Sequence, residues 1–211
     1  MRTHESYGFV SRGHTLVTND VHLLRLAGAV ADLTAWLQDQ SVRGAVVGGL
    51  AANLLGRPRI TKDVVAVVLL GNLQIDVFLA SGAKFGFLPR ISDAVAFATK
   101  SRVLLLIHDP SKTEVDISLG ILPFEIESVE RASVVTAEGI SFPIISPEDL
   151  IIMKSLPRRS RDVADIEAVL AAHPDLDLDR IRYWVGQFAA ILEAPEILED
   201  LERIVTRSMC R

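Results

Sequence analysis

The chain has almost no thiol chemistry available to it: of 211 residues one is a cysteine, Cys210, and it stands beside the end of the sequence. A single thiol closes no internal disulfide and anchors no zinc cluster. Long apolar runs are missing as well. Mean hydropathy is high, at +0.32, yet the longest runs, 64–70 and 103–107, have strand length and fall far short of the roughly 18 residues that span a bilayer. The opening MRTHESYGFV has no basic patch followed by an apolar stretch, so no secretion signal is expected. Neither a Gly-x-x-x-x-Gly-Lys loop nor a Gly-x-Gly-x-x-Gly turn occurs, which removes two common phosphate-binding devices. Ser81 and Ser118 sit in no hydrolase motif, and His4, His14, His22 and His173 show no ligand spacing. Positive charge is in deficit, with 22 Lys and Arg against 27 Asp and Glu for a net charge of −5, which argues against a general nucleic-acid coat. Aromatics make up only 6% of the chain, and Trp36 and Trp184 lie on apolar helical faces, as core residues do.

What is present is ample material for a core. The chain is 49% apolar and 23% charged, which excludes a disordered polymer. A cytoplasmic globular protein is expected, with no membrane partner and one domain or a core with a helical appendage. The first 18 residues carry no clear period and read as a loose arm or edge element. A helix then starts at Asn19 or Asp20, with apolar residues at three- and four-residue steps to Leu37. A short buried strand at 44–47 ends in Gly48-Gly49, followed by a short helix at 50–55 and a loop around Pro58. Residues 63–70 are valine-rich and apolar on both faces, the pattern of a central strand. Helices over 73–84 and 91–99, strands over 102–108 and 113–119, and a hairpin over 133–145 follow. Ser146-Pro147-Glu148-Asp149 is a strong helix start, and helices over 150–156, 160–172, 178–192 and 197–207 complete the chain. The layout is α/β (α+β): a core at 1–145 with an N-terminal helix, then a C-terminal helical region at 146–211 packed on it.

Three pieces of the α/β part carry chemistry. Gly48-Gly49 at a strand-to-helix turn admits close backbone approach and aims helix N–H groups at an anion. Thr61-Lys62-Asp63 opens the buried strand at the rim of the sheet. Glu114 and Asp116, two apart on a later strand, share one face. Taken singly, each acid reads equally well as a solvated strand-end residue. Basic residues concentrate in two windows, Arg57, Arg59 and Lys62 in the first and Lys154, Arg158, Arg159 and Arg161 in the second. His108, beside Asp109-Pro110, reads as a turn residue.

Taken in order, GAVVGGLAANLLGRPRITKDVVAVVL, EVDISLG and ISPEDLIIMKSLPRRSRDVADIEAVL resemble the minimal nucleotidyltransferases of the polymerase-β superfamily, among them the AbiEii-type toxins. The similarity runs over about residues 43–172 and implies a nucleotidyltransferase-like mixed sheet flanked by helices. It implies a nucleoside triphosphate as substrate and two magnesium ions on carboxylates. The nucleotidyl group would pass to a hydroxyl on an RNA or a protein, in a toxin paired with an antitoxin. A homodimer is a further expectation. The family's lysine and Arg-x-x-Asp-x-x-Asp positions fall on Lys154, Arg159, Asp162 and Asp165. Asp63 and Asp116 match two catalytic, metal-binding aspartates, and Gly48, Gly49, Arg59, Lys62 and Lys154 fall where the nucleotide binds. Alternatively, Arg158, Arg159 and Arg161 pair with Asp162 and Asp165 rather than with a ligand.

One position departs from the pattern. The second aspartate of the family's Asp-x-Asp is Val65, and a valine has no lone pair for a metal. Three consequences stand side by side: a non-catalytic interaction module of the same fold, an active scaffold inactivated by this change, or Glu114 serving as the replacement ligand. Transfer onto a small molecule such as an aminoglycoside also fits the broad fold. The single geometric expectation beneath all of these is that Asp63 and Asp116 meet on neighbouring strands beside Gly48-Gly49.

Overall fold

The structure, a computed structural model, describes the backbone of residues 20–209 and the side chains of residues 26–208. The expected N-terminal arm and Cys210 lie outside the described residues. Among the described residues seven strands form one mixed sheet: β1 (Arg43–Val47), β2 (Asp63–Leu69), β3 (Phe87–Pro89), β4 (Val103–His108), β5 (Thr113–Leu119), β6 (Ser133–Ala137) and β7 (Ile140–Ile144), in the order β3-β4-β5-β2-β1-β7-β6. The valine-rich strand is central, as expected. It runs antiparallel to β1 and parallel to β5.

Because side chains alternate along a strand, the two faces of the sheet support two cores. Val64, Ala66 and Val68 of β2 pack with Val115 and Ile117 under α1 (Asp20–Asp39), α3 (Ile75–Gly82) and α4 (Ala94–Ser101). Trp36 anchors this layer. It is fully buried, stacks on Phe78 at 4.2 Å, and its indole N–H donates to Ser81 Oγ at 2.8 Å. On the opposite face Val67 joins Ala45 and Val47 with Leu150, Ile166, Ile181 and Ile204. These come from α6 (Pro147–Ser155), α7 (Ser160–Ala172), α8 (Leu178–Ile191) and α9 (Glu196–Met209). One apolar cluster therefore crosses residue 145. Ser146 caps α6 by accepting from the Asp149 N–H at 3.1 Å. Trp184 sits at the edge of this layer, against Phe124 and Phe188. No helix among the described residues is long and apolar enough to cross a membrane.

Two elements lie where no regular structure is expected. β3 is three residues long, too short to show a period, and ends in Pro89, which an edge strand tolerates. α5 (Pro123–Glu130) starts with proline, and the Glu125 carboxylate accepts the N–H groups of Ile121 and Leu122 at 2.9 Å. That helix had a readable signal. The helix after β1, α2 (Gly48–Leu55), begins two residues earlier than expected, so both glycines lie in its first turn.

His108 is more than a turn residue. It closes β4 at 1% exposure, with Nε2 at 2.8 Å from Asp32 Oδ2 of α1 and Nδ1 at 2.7 Å from Ser111 Oγ. Leucine at this position breaks both bonds and detaches α1 from the β4–β5 turn. The expected loss is about 1–3 kcal/mol of stability, read as a lower urea midpoint at unchanged m value.

Candidate functional site

β1 runs directly into α2. Gly48 adopts φ +69° and Val47 gives no side-chain cap, so the N–H groups of the first turn lack intrahelical partners and are open to an anion. The space around them is tight. A Cβ on Gly48 would stand 3.1 Å from the Val65 Cβ, and one on Gly49 would stand 2.5 Å from Thr61 Oγ1. Thr61 is buried and donates to Asp63 Oδ1 at 3.0 Å. Gly49→Ala must therefore displace Thr61 and, with it, the bond that orients Asp63. A loss of about 1–3 kcal/mol is expected from overpacking, measurable by chemical denaturation.

The acids expected to meet do so. In the β2–β5 ladder Asp63 is the partner of Glu114 and Val65 the partner of Asp116. All four project from one face, and three of the four corners are carboxylates. Burial pushes the Asp116 carboxyl above its ordinary range, the nearby charges of Asp63 and Glu114 add to this, and Arg90 opposes it. Arg90 is a residue that sequence reasoning missed. It follows β3, its N–H donates to Leu105 O at 2.9 Å, and Leu105 is the ladder partner of Asp116. Its guanidinium bonds Glu114 at 2.6 Å and also contacts Asp116. Nothing local marks it, because only the β3–β4–β5 register carries it over the acids.

Beside this face lies a cleft of about 630 Å³ between the ends of β1 and β2 and the α6–α7 pair, within the usual size of ligand sites. Gly48, Gly49, Lys62, Asp63, Arg159 and Arg161 line it, while Glu114 and Asp116 lie one strand further out. Lys154 and Arg59 also face the cleft, but their charges are engaged. Lys154, on α6 and nearly buried, donates to Asp162 at 2.9 Å and lies 2.8 Å from Asp165. Arg59 forks onto Asp165 through two bonds of 2.8 and 2.9 Å. Burial raises the Asp165 carboxyl, but the Arg59 and Lys154 hydrogen bonds and charges outweigh it and leave the group below its ordinary range. The partners of Asp162 and Asp165 are thus Lys154 and Arg59, not the arginines of the 158–161 window. Arg158 turns away to Glu196 and Asp200, at 3.1 and 2.5 Å. Lys62, Arg159 and Arg161 have no ion-pair partner among the described residues. Arg57 is exposed in the loop and lies outside the lining of the cleft.

Magnesium pairs need several carboxylate oxygens around each ion. The residues as arranged do not make such a ligand set. Among the described residues no three of His, Cys, Asp and Glu gather closely enough to hold a metal. The corner next to Asp116 is Val65, and Arg90 holds oxygens of both Asp116 and Glu114.

No protein-family model matches the sequence, and no curated protein matches it. Solved structures do match the fold. An antigenic nucleotidyltransferase-like protein from Paracoccidioides brasiliensis superposes with a TM-score of 0.53 at 15% identity, over 83% of this chain and 92% of that one. The antibiotic-resistance factor ANT(2'')-Ia superposes with a TM-score of 0.51, also at 15% identity, over 86% of this chain and 97% of its own. At such identities the likeness concerns architecture, and the seven-stranded mixed sheet with its flanking helices has the nucleotidyltransferase-like fold.

Proposed function

We propose that the cleft binds a nucleoside triphosphate, whose phosphates meet the N–H groups of the Gly48-Gly49 turn and the side chains of Lys62, Arg159 and Arg161. The observation that carries this reading is the division of the cations. Arg59 and Lys154 are neutralised by Asp165 and Asp162, whereas Lys62, Arg159 and Arg161 stand uncompensated around a void that opens on a helix start. Unpaired guanidiniums beside free helix N–H groups favour a polyanion. Arg59 and Lys154 serve the same ligand by tying α7 to the loop before β2 and to α6, which sets where Arg159 and Arg161 lie. The reading extends to transfer of a nucleotidyl group onto a hydroxyl, served by Asp63 in the lining of the cleft and Asp116 on the neighbouring strand. An RNA or protein acceptor, a toxin role and an antitoxin partner belong to it through the sequence resemblance.

The test is a titration with each of the four nucleoside triphosphates, with and without magnesium, followed by melting temperature. At least one is expected to raise it; no shift with any of them would leave the fold without this function. Arg159→Ala and Arg161→Ala are each expected to weaken that affinity about tenfold, the loss of one charge-assisted contact. The melting temperature of the free protein should not move, since both side chains are exposed.

A second reading is a nucleotide-dependent interaction module without transferase activity, favoured by Val65 and by the Arg90 bridge. Labelled nucleotide incubated with total RNA and total protein separates the two. Transfer of label supports the enzyme, and binding without transfer supports the module.

A further inference from the structure

We propose that Arg90 is the resident cation of the carboxylate face, so that the chain binds its triphosphate without needing a divalent ion on that face. The inference rests on the nucleotide reading of the cleft only for its second half. The first half stands on the sheet. Two paired strands place Asp63, Glu114 and Asp116 on one face with Val65 at the fourth corner. A lone face of three acids repels itself and calls for positive charge. That charge is already present and covalently part of the chain: one guanidinium bonds Glu114 at 2.6 Å and also Asp116, from a side chain only a quarter exposed. Its approach is set by the backbone, through the Arg90 N–H on Leu105 O, the ladder partner of Asp116.

Val65 completes the case. With a valine at that corner a divalent ion gains no fourth carboxylate, and it must first displace a guanidinium from two charge-assisted bonds. The Arg90 Nε is buried without a partner, so the head group is held by its two carboxylates and not by a wider polar network. Removing it uncovers the Glu114 and Asp116 carboxylates, two apart on one strand, and leaves their oxygens free for an oxygen-seeking divalent ion. The chain's own cations in the cleft, Lys62, Arg159 and Arg161, then meet the phosphates that a bridging metal would otherwise neutralise.

The experiment uses the whole chain and Mn²⁺ as the probe. Mn²⁺ binding, followed by its electron paramagnetic resonance signal, is compared for the wild type, Arg90→Ala and Arg90→Gln, all without nucleotide. Both variants are expected to bind Mn²⁺ about tenfold more tightly than the wild type, and Mn²⁺ should restore a melting temperature that the substitutions lower. Arg90→Gln retains a side chain that fills the space if alanine does not fold. Equal or weaker Mn²⁺ binding by the variants overturns the proposal. In parallel, triphosphate affinity of the wild type is measured in magnesium and in chelator, where less than about a threefold difference is expected. Binding abolished by chelation overturns the metal-independent half. If no triphosphate binds under either condition, the reading of the cleft fails, while the Mn²⁺ comparison still decides the role of Arg90.

Discussion

Alanine at Lys154 lowers the free energy of unfolding by about 3–5 kcal/mol, the usual consequence of removing one partner from a buried ion pair. The lysine amine lies between Asp162 and Asp165, at 2.9 and 2.8 Å, and the two acids are only 4% and 6% exposed. Asp165 keeps its two bonds to Arg59. Asp162 does not have that reserve, because its second oxygen already lacks a partner. Lys154→Met, which restores most of the volume, is expected to be nearly as destabilising, since the missing element is charge. Adding Asp162→Leu to it should recover most of the loss.

The pH dependence has a definite sign. In the folded chain the Asp165 carboxyl lies below its ordinary range: burial works against this, but Arg59 and Lys154 prevail. A depressed acid contributes stability that is fully present above its unfolded value, near pH 4. That stability is lost as pH falls through the folded value. The gap between wild type and Lys154→Ala is therefore expected to narrow as pH falls through the acid range, since buried acids without the lysine take up protons more readily than the paired acids of the wild type. Urea unfolding across that range measures it.

Asp149→Ala has an effect of the same size by the opposite route. Asp149, in the first turn of α6, has no exposed surface. It receives the Arg180 guanidinium of α8 at 2.8 and 3.2 Å, with Arg131 at 3.6 Å. Truncation leaves Arg180, itself 10% exposed, with Glu127 of α5 as its remaining partner, and about 3–5 kcal/mol is again expected. Burial pulls the Arg180 guanidinium down, but Asp149 and Glu127 more than reverse it, so the group is held above its ordinary value. Guanidinium does not lose its proton in proteins. The guanidinium stranded by Asp149→Ala therefore has no deprotonation route of relief, and urea unfolding at neutral pH measures the deficit.

Much of the scaffold was legible in the sequence. β5 and β6 begin and end where alternation and turn residues put them, and α7 spans the predicted 160–172. These are local patterns, with periods of two or 3.6 residues. The glycine turn and the two acids were legible for the same reason, since each is written in a few adjacent letters, whereas Val65 stood out only against the Asp-x-Asp that the family resemblance implies. β3 was not, because three residues carry no period, and α5 was passed over although Pro123 and Glu125 announce it.

The sequence by itself determined which elements form and which side chains could do chemistry: a valine strand apolar on both faces has to be buried in a sheet, and Asp63, Asp116 and Val65 carry their ligand capacity, or lack of it, wherever they lie. Tertiary structure alone decided which charges neutralise which. Arg59 and Asp165 are 106 residues apart, and Arg90 and Asp116 are 26 apart. An ion pair depends on distance and burial in space, whereas periodicity reports only the neighbours along the chain. For that reason Lys154, read from sequence as facing a nucleotide, has its charge on Asp162 and Asp165, and an unremarked Arg90 stands on the acids.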